Sequence, residues 1–194
     1  MMTVLSEPGA LRPCASDPQG LALPPAVVPL VGVLRQTAAL LESLTDEQYA
    51  RKPVGVVPSS IGGHVRHCLD HVEALLRGAG DGLLDYDRRE RGTDVERSRA
   101  AALETIRRQE RRLLDFPWPN GHRPLRLSVL VSPDAPPAVV VSSLDRELAF
   151  ALSHTIHHGA LIAVMAKLLG VAVPADFGYA PSTLAHGRRA TCAR

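Results

Sequence analysis

Six of the eight histidines fall in two short windows: HVRHCLDH, with His64, His67 and His71, and HTIHH, with His154, His157 and His158. Neutral imidazole is a good ligand for divalent transition metals, so two such windows on helices point to metal chemistry. His154 and His158 are four apart, which on a helix leaves their Cβ atoms about 5–6 Å from each other, close enough for two rings to hold one ion. They also continue a pattern, Glu147, Ala151, His154, His158, Leu161, Met165 and Leu168, that advances in alternating steps of four and three. Such a pattern is a core-facing seam, and both histidines are expected in it. His157 is turned about 60° from that line and is the weaker candidate. His64, His67 and His71 share one side of their helix, beside its apolar stripe, and any of the three could supply a third nitrogen from across a bundle. Spacing alone does not choose among them. A lone buried histidine is more often a packed residue bonded to a carbonyl, but two in a seam facing a second cluster favour a metal.

Other chemistries lack support. HTIHH has the spacing of a zinc-protease helix, but Thr155 stands where that motif needs its general-base glutamate. No GxSxG elbow and no phosphate-cradling glycine loop occur. Cys14, Cys68 and Cys192 are distant from one another and odd in number, which excludes a CxxC redox pair, a zinc ribbon and a disulfide scaffold. The net charge of +2, and the acids Asp94, Glu96, Glu104 and Glu110 set among the arginines from Arg88 to Arg112, describe a solvated helix face rather than a nucleic-acid surface. No run of eighteen apolar residues suggests a membrane span, and the N-terminus lacks the pattern of a signal peptide. A reducing cytoplasm is the expected compartment.

The elements that must position the histidines follow from periodicity. Residues 1–24, rich in Pro, Gly, Ala and Ser, read as a flexible extension before a domain spanning 25–194. Leu30, Leu34, Thr37, Leu41 and Leu44 form one helix face, and Thr45 with Gln48 makes a capping box for a short turn. Ile61, Val65, Cys68, Val72, Leu75 and Leu76 stripe a second helix that stops between Gly78 and Gly82. LLDYDRRERG reads as a charged turn, and Thr93 with Glu96 as the capping box of a third helix running to about Leu114. RLSVLV and AVVVS, split by SPDAPP, predict a β-hairpin insert at about 124–142. The last long helix covers about 142–169, with Gly170 as its stop, and residues 171–194 read as an irregular tail. With aromatics at only 4%, Ala, Leu and Val must build the interior, as suits helices. The fold expected is all-α, a four-helix bundle with a β-hairpin inserted before the last long helix.

HVRHCLDH, with Cys-Leu-Asp70 following His67, and HTIHHG resemble two motifs of the DinB-like (YfiT-like) metal-dependent superfamily, on its second and last long helices. The layout is shared over roughly residues 26–170. This resemblance implies a four-helix bundle holding a divalent ion on three histidines, which by position would be His67, His154 and His158. YDRRERG and FGYAPSTLAH also resemble a recurring bacterial subgroup. Gly159, Ala160 and Leu161 depart from the Arg-Gly-Gln that many members carry after the last ligand. The family's characterised theme implies transfer chemistry with low-molecular-weight thiols.

Three neutral imidazoles would leave a divalent ion's charge uncompensated and positions open for an anionic ligand such as hydroxide or thiolate. Zinc, nickel and iron all suit such a donor set. Asp70, one turn beyond His67, and Glu147, two turns before His154, are candidates for orienting ligands or accepting protons. The leading expectation is a metal-dependent small-molecule transferase, thiol-dependent, or a hydrolase. The alternatives are a module that holds metal without turnover, as in a stress response, and a structural bundle with packed histidines. A small-molecule substrate is the expected partner, with neither nucleic acid nor membrane, and the hairpin's open edges suit a homodimer.

Overall fold

A computed structural model of the chain describes residues 23–53, 58–88 and 93–192, without the side chains of 190–192. Cys14, the Cys192 side chain and nearly all of the expected N-terminal extension lie outside the described residues. Helix α1 (Val27–Glu42) buries its predicted face, Leu30, Leu34, Thr37 and Leu41, with Leu44 just beyond it. The short α2 (Asp46–Ala50) opens on the expected capping box, in which Thr45 and Gln48 satisfy each other's backbone N–H. Helix α3 (Ile61–Asp81) buries all six residues of its predicted stripe. It ends at Gly82, whose φ of +75° is the left-handed stop that glycine adopts at no steric cost.

The chain then departs from the charged turn expected of LLDYDRRERG. Leu83–Asp85 form a strand, β1, and Leu84 is fully buried. One apolar side chain driven into the core outweighs the charge density of the residues after it. A second correction concerns the third helix. Thr93 makes no side-chain cap, and Asp94–Glu96 form a separate 3₁₀ turn. The Glu96 carboxylate accepts from Arg66 Nε at 3.1 Å instead of closing a capping box, and the Tyr49 hydroxyl pins the turn by donating to the Val95 carbonyl at 2.6 Å. Helix α4 (Arg99–Asp115) starts later, capped by Ser98, whose hydroxyl accepts from Ala101 N–H.

The predicted hairpin is present as β2 (Pro124–Val129) and β3 (Ala138–Ser143), antiparallel, with Arg126 opposite Val141. β1 joins β2 in parallel, so the insert is a three-stranded sheet in the order β1-β2-β3. Ser143 is both the last residue of β3 and the N-cap of α5 (Leu144–Leu168). Helices α1, α3, α4 and α5 form the bundle, with α3 against α4 and α5, and α1 against the same two. The expected irregular tail is corrected in its second half: Pro181–Cys192 form a helix, α6. Pro181 at its first position, where a missing N–H costs nothing, was the sequence signal for it. Before α6 the chain crosses α5 closely: Gly178 (φ +79°) lies so near Ala160 that a Cβ would stand 2.7 Å from its backbone.

By length and composition α5 could cross a membrane, which an unbroken-run criterion missed because histidine, serine and threonine interrupt it. Here it is the helix packed on α3 and α1, and 44% of its most apolar window is buried. The revised start of α4 is open to test by chemical denaturation. Ser98→Ala should cost about 1 kcal/mol through the lost cap, whereas Thr93→Ala should cost only a few tenths.

Candidate metal centre

The buried line of α5 runs through Glu147, Leu148, Ala151, Thr155, Gly159 and Ile162. His154 and His158 are half-buried at its margin rather than in the seam's centre, and Leu168, also placed in the seam, is 58% exposed. The true period of 3.6 rotates the line away from a strict alternation of three and four over six turns. The marginal position is what turns both rings toward α3. There His71 is buried and His64 and His67 are half-buried, beside the apolar stripe as their spacing predicted.

Five imidazoles meet at this α3–α5 face. His154 Nε2 and His67 Nε2 are 3.0 Å apart, and His64 Nδ1 and His158 Nδ1 are 2.9 Å apart. The donor atoms of His67, His71 and His154 all lie within 4.8 Å of one another, close enough for the three to hold a metal ion. Metal–nitrogen bonds of about 2.0–2.1 Å in a tetrahedral array place ligand nitrogens roughly 3.4 Å apart, so the 3.0 Å pair needs only a small adjustment. The His71 tautomer also suits a ligand. Its Nδ1–H donates to the His67 carbonyl at 2.9 Å, which leaves the lone pair on Nε2. Of the residues named from sequence, His67 and His154 belong to this group. His158 stands next to it, with its ring centroid 4.6 Å from those of both, and pairs with His64. His71 had been left level with His64 and His67 by spacing, although it lies four residues from His67, the same step that singled out His154 and His158.

A column of rings supports the cluster. Tyr86 stacks on His71 (4.9 Å between centroids, 16°), His71 on His154 (4.1 Å, 26°) and Phe150 on His154 (5.5 Å, 26°). Glu147 secures the column from below. It is fully buried, and its carboxylate accepts from the Tyr86 hydroxyl at 3.0 Å, the Ser142 hydroxyl at 2.5 Å and Arg146 Nη1 at 3.0 Å. Burial and the adjoining Glu147 carboxylate push the Tyr86 phenol well above its ordinary range, so it stays a hydrogen-bond donor. Asp70 pairs with Arg66 Nη1 at 2.7 Å and lines a cleft between α3 and α4. Both candidate carboxylates are engaged within the fold: Glu147 accepts from Tyr86, and Asp70 is held in an ion pair. Cys68, the free thiol among the described residues, is buried, and burial followed by the charge of Asp70 pushes it up to about 12, so it stays protonated.

The same burial keeps the neighbouring imidazoles neutral. His158 is pushed down to about 3, first by burial and then by the charges that His154, His64, His157 and His71 would carry if protonated. His64 is lowered by burial and by His157. A neutral ring can donate a lone pair without first losing a proton. It also makes the fold acid-sensitive. Below about pH 6.5 the unfolded chain takes up protons that native His158 refuses, so stability falls as pH drops from about 6.5 toward 3. Thermal unfolding in chelator should show a lower midpoint at pH 5 than at pH 7.5, and His158→Gln should flatten that dependence.

Comparison with known proteins gives the family and the fold. A family model described as the DinB superfamily matches residues 30–162. "FK506-binding protein 5" of Rhizopus delemar is 33% identical over 158 residues, which cover 80% of this chain and 36% of that protein, so the chain spans about a third of that relative's length. The crystal structure of a DinB-like protein, YjoA, from Bacillus subtilis superposes with a TM-score of 0.56 at 17% identity, covering 77% of this chain and 95% of that one; at that identity the likeness speaks for the fold alone.

Proposed function

This chain belongs to the DinB superfamily, and we propose that it is a divalent-metal protein that acts on a small molecule, as a thiol-dependent transferase or a hydrolase. One observation carries the reading: three imidazole donors from two facing helices within 4.8 Å of one another. His67, His154 and His71 would hold the ion, and His158, the third ligand implied by the family resemblance, would stand beside it as the neutral partner of His64. A divalent ion on three neutral ligands keeps its full charge and open positions, which is the chemistry that acidifies a water or a thiol. The chain's own part is to fix the rings. The His67 carbonyl sets the His71 tautomer, Tyr86 and Phe150 close the ends of the column, and Glu147 holds Tyr86.

Elemental analysis of untagged protein tests this. Wild type should carry near one zinc, nickel or iron per chain, and His67→Ala and His154→Ala should lose it. His71→Ala should lower metal affinity more than His158→Ala; the reverse order would restore the set implied by the resemblance. Titration of the metal-loaded protein with low-molecular-weight thiols should give saturable binding that the stripped protein lacks. Absence of thiol binding would remove the transferase reading.

A second reading, a module that holds metal without turnover, draws on a specific observation. Asp70 and Glu147 are both committed to ion pairs or hydrogen bonds, and a cleft of about 640 Å³ is lined by Thr45, Gln48, Arg51 and Leu169 with no histidine. A second copy of the chain is a further proposed partner. β3 is an edge strand, with Val139, Val140 and Val141 exposed by 54%, 43% and 79%, and it carries no charge. Light scattering should then report a concentration-dependent dimer, abolished by Val141→Lys.

A further inference from the structure

A cleft of about 430 Å³ opens between α3, the 3₁₀ turn and α4, and its lining includes Asp70, Glu73, Asp94, Glu104, Arg108 and Gln109. Two of the four acids are answered within the fold: Asp70 pairs with Arg66, and Glu73 with Arg112. Asp94 and Glu104 are exposed and have neither an ion pair nor a side-chain hydrogen bond among the described residues. Arg108, the cation of the lining, donates to Thr105 Oγ1 at 3.4 Å rather than to either carboxylate. Among the described residues, the lining therefore holds more carboxylates than cations.

Gln109 supplies an independent sign of a ligand. It is only 2% exposed, and its Nε2 donates to the Leu69 carbonyl at 2.9 Å. A carbonyl only accepts, so the sense of the amide is fixed, and the atom left over must be Oε1. That oxygen is buried and has no hydrogen-bond partner. A buried acceptor without a donor is costly, and such atoms are few in native folds. What would answer it is an N–H group, and the surrounding charge calls for a cation. A bare metal ion suits this cleft poorly. Among the described residues the group of three donors converging within 4.8 Å is the histidine cluster, and the cleft's carboxylates do not converge in that way.

We propose that this cleft binds an organic ammonium, an aliphatic amine whose N–H donates to Gln109 Oε1 while Glu104 and Asp94 balance its charge. Gln109, Glu104 and Asp94 all line this one cleft. Occupancy here is separate from the metal: none of the lining residues is a histidine.

Titration calorimetry on the full chain with 1,4-diaminobutane tests the proposal. One saturable site is expected, with tetramethylammonium, which has charge but no N–H, binding about tenfold more weakly or less. Glu104→Gln and Asp94→Asn lie on the surface and should keep the wild-type circular dichroism while weakening binding severalfold. Gln109→Met should lose binding with every carboxylate intact, and His67→Ala should leave it unchanged. Equal affinity for tetramethylammonium would reduce the site to undirected charge and overturn the proposal. Stoichiometric binding of calcium or magnesium that displaces the amine would overturn it in favour of a metal, and so would an absence of heat with the diamine.

Discussion

Two imidazole nitrogens on different helices, His67 Nε2 and His154 Nε2, sit 3.0 Å apart, and that distance sets the tolerance of the whole domain. A shift of one residue along either helix moves a side chain by about 1.5 Å along the axis and 100° around it, enough to separate the pair. The buried apolar stripe of α3, packed against the buried line of α5, keeps that register. Packing in this bundle acts less as a store of stability than as a ruler for the face between α3 and α5.

The polar groups around the cluster divide into those that serve it and those that serve the fold. Glu147 is the clearest case. A fully buried carboxylate is tolerated because three donors surround it, and the donors come from three different places: β3, the segment after β1, and its own helix. The sheet is thereby tied to the ring column at one point. Arg66 does similar work on the other side, joining Asp70 of α3 to Glu96 of the 3₁₀ turn. What looked like an arginine-rich run in the sequence is a set of clamps, with Arg99 on Asp46, Arg107 on Glu42 and Arg112 on Glu73.

The four bundle helices, the hairpin and the two histidine windows were legible because each is written in local periodicity or local turn chemistry. β1 was not, because three residues carry no period and its partner β2 lies some forty residues away. The start of α4 was misjudged because Thr93 and Glu96 fit a local motif, while the carboxylate has a better partner in Arg66 across the fold. Spacing offered His154 and His158 as candidate donors but could not decide among His64, His67 and His71; which rings converge depends on how α3 and α5 rotate against each other, which no single helix records. Tyr86 and Phe150 were missed for the same reason, since the stacking that gives them a role is entirely tertiary.

No residue intervenes between β3 and α5: Ser143 closes the strand and caps the helix. A loop at that junction would act as a slack cable, whereas a shared residue acts as a weld. The capping bond from Arg146 N–H to the Ser143 hydroxyl and the one from the Ser142 hydroxyl to Glu147 place two fasteners within about one helical turn of the joint. The direction in which the hairpin leaves the bundle is therefore tied to the axis of α5, and His154 lies about three turns along that shaft.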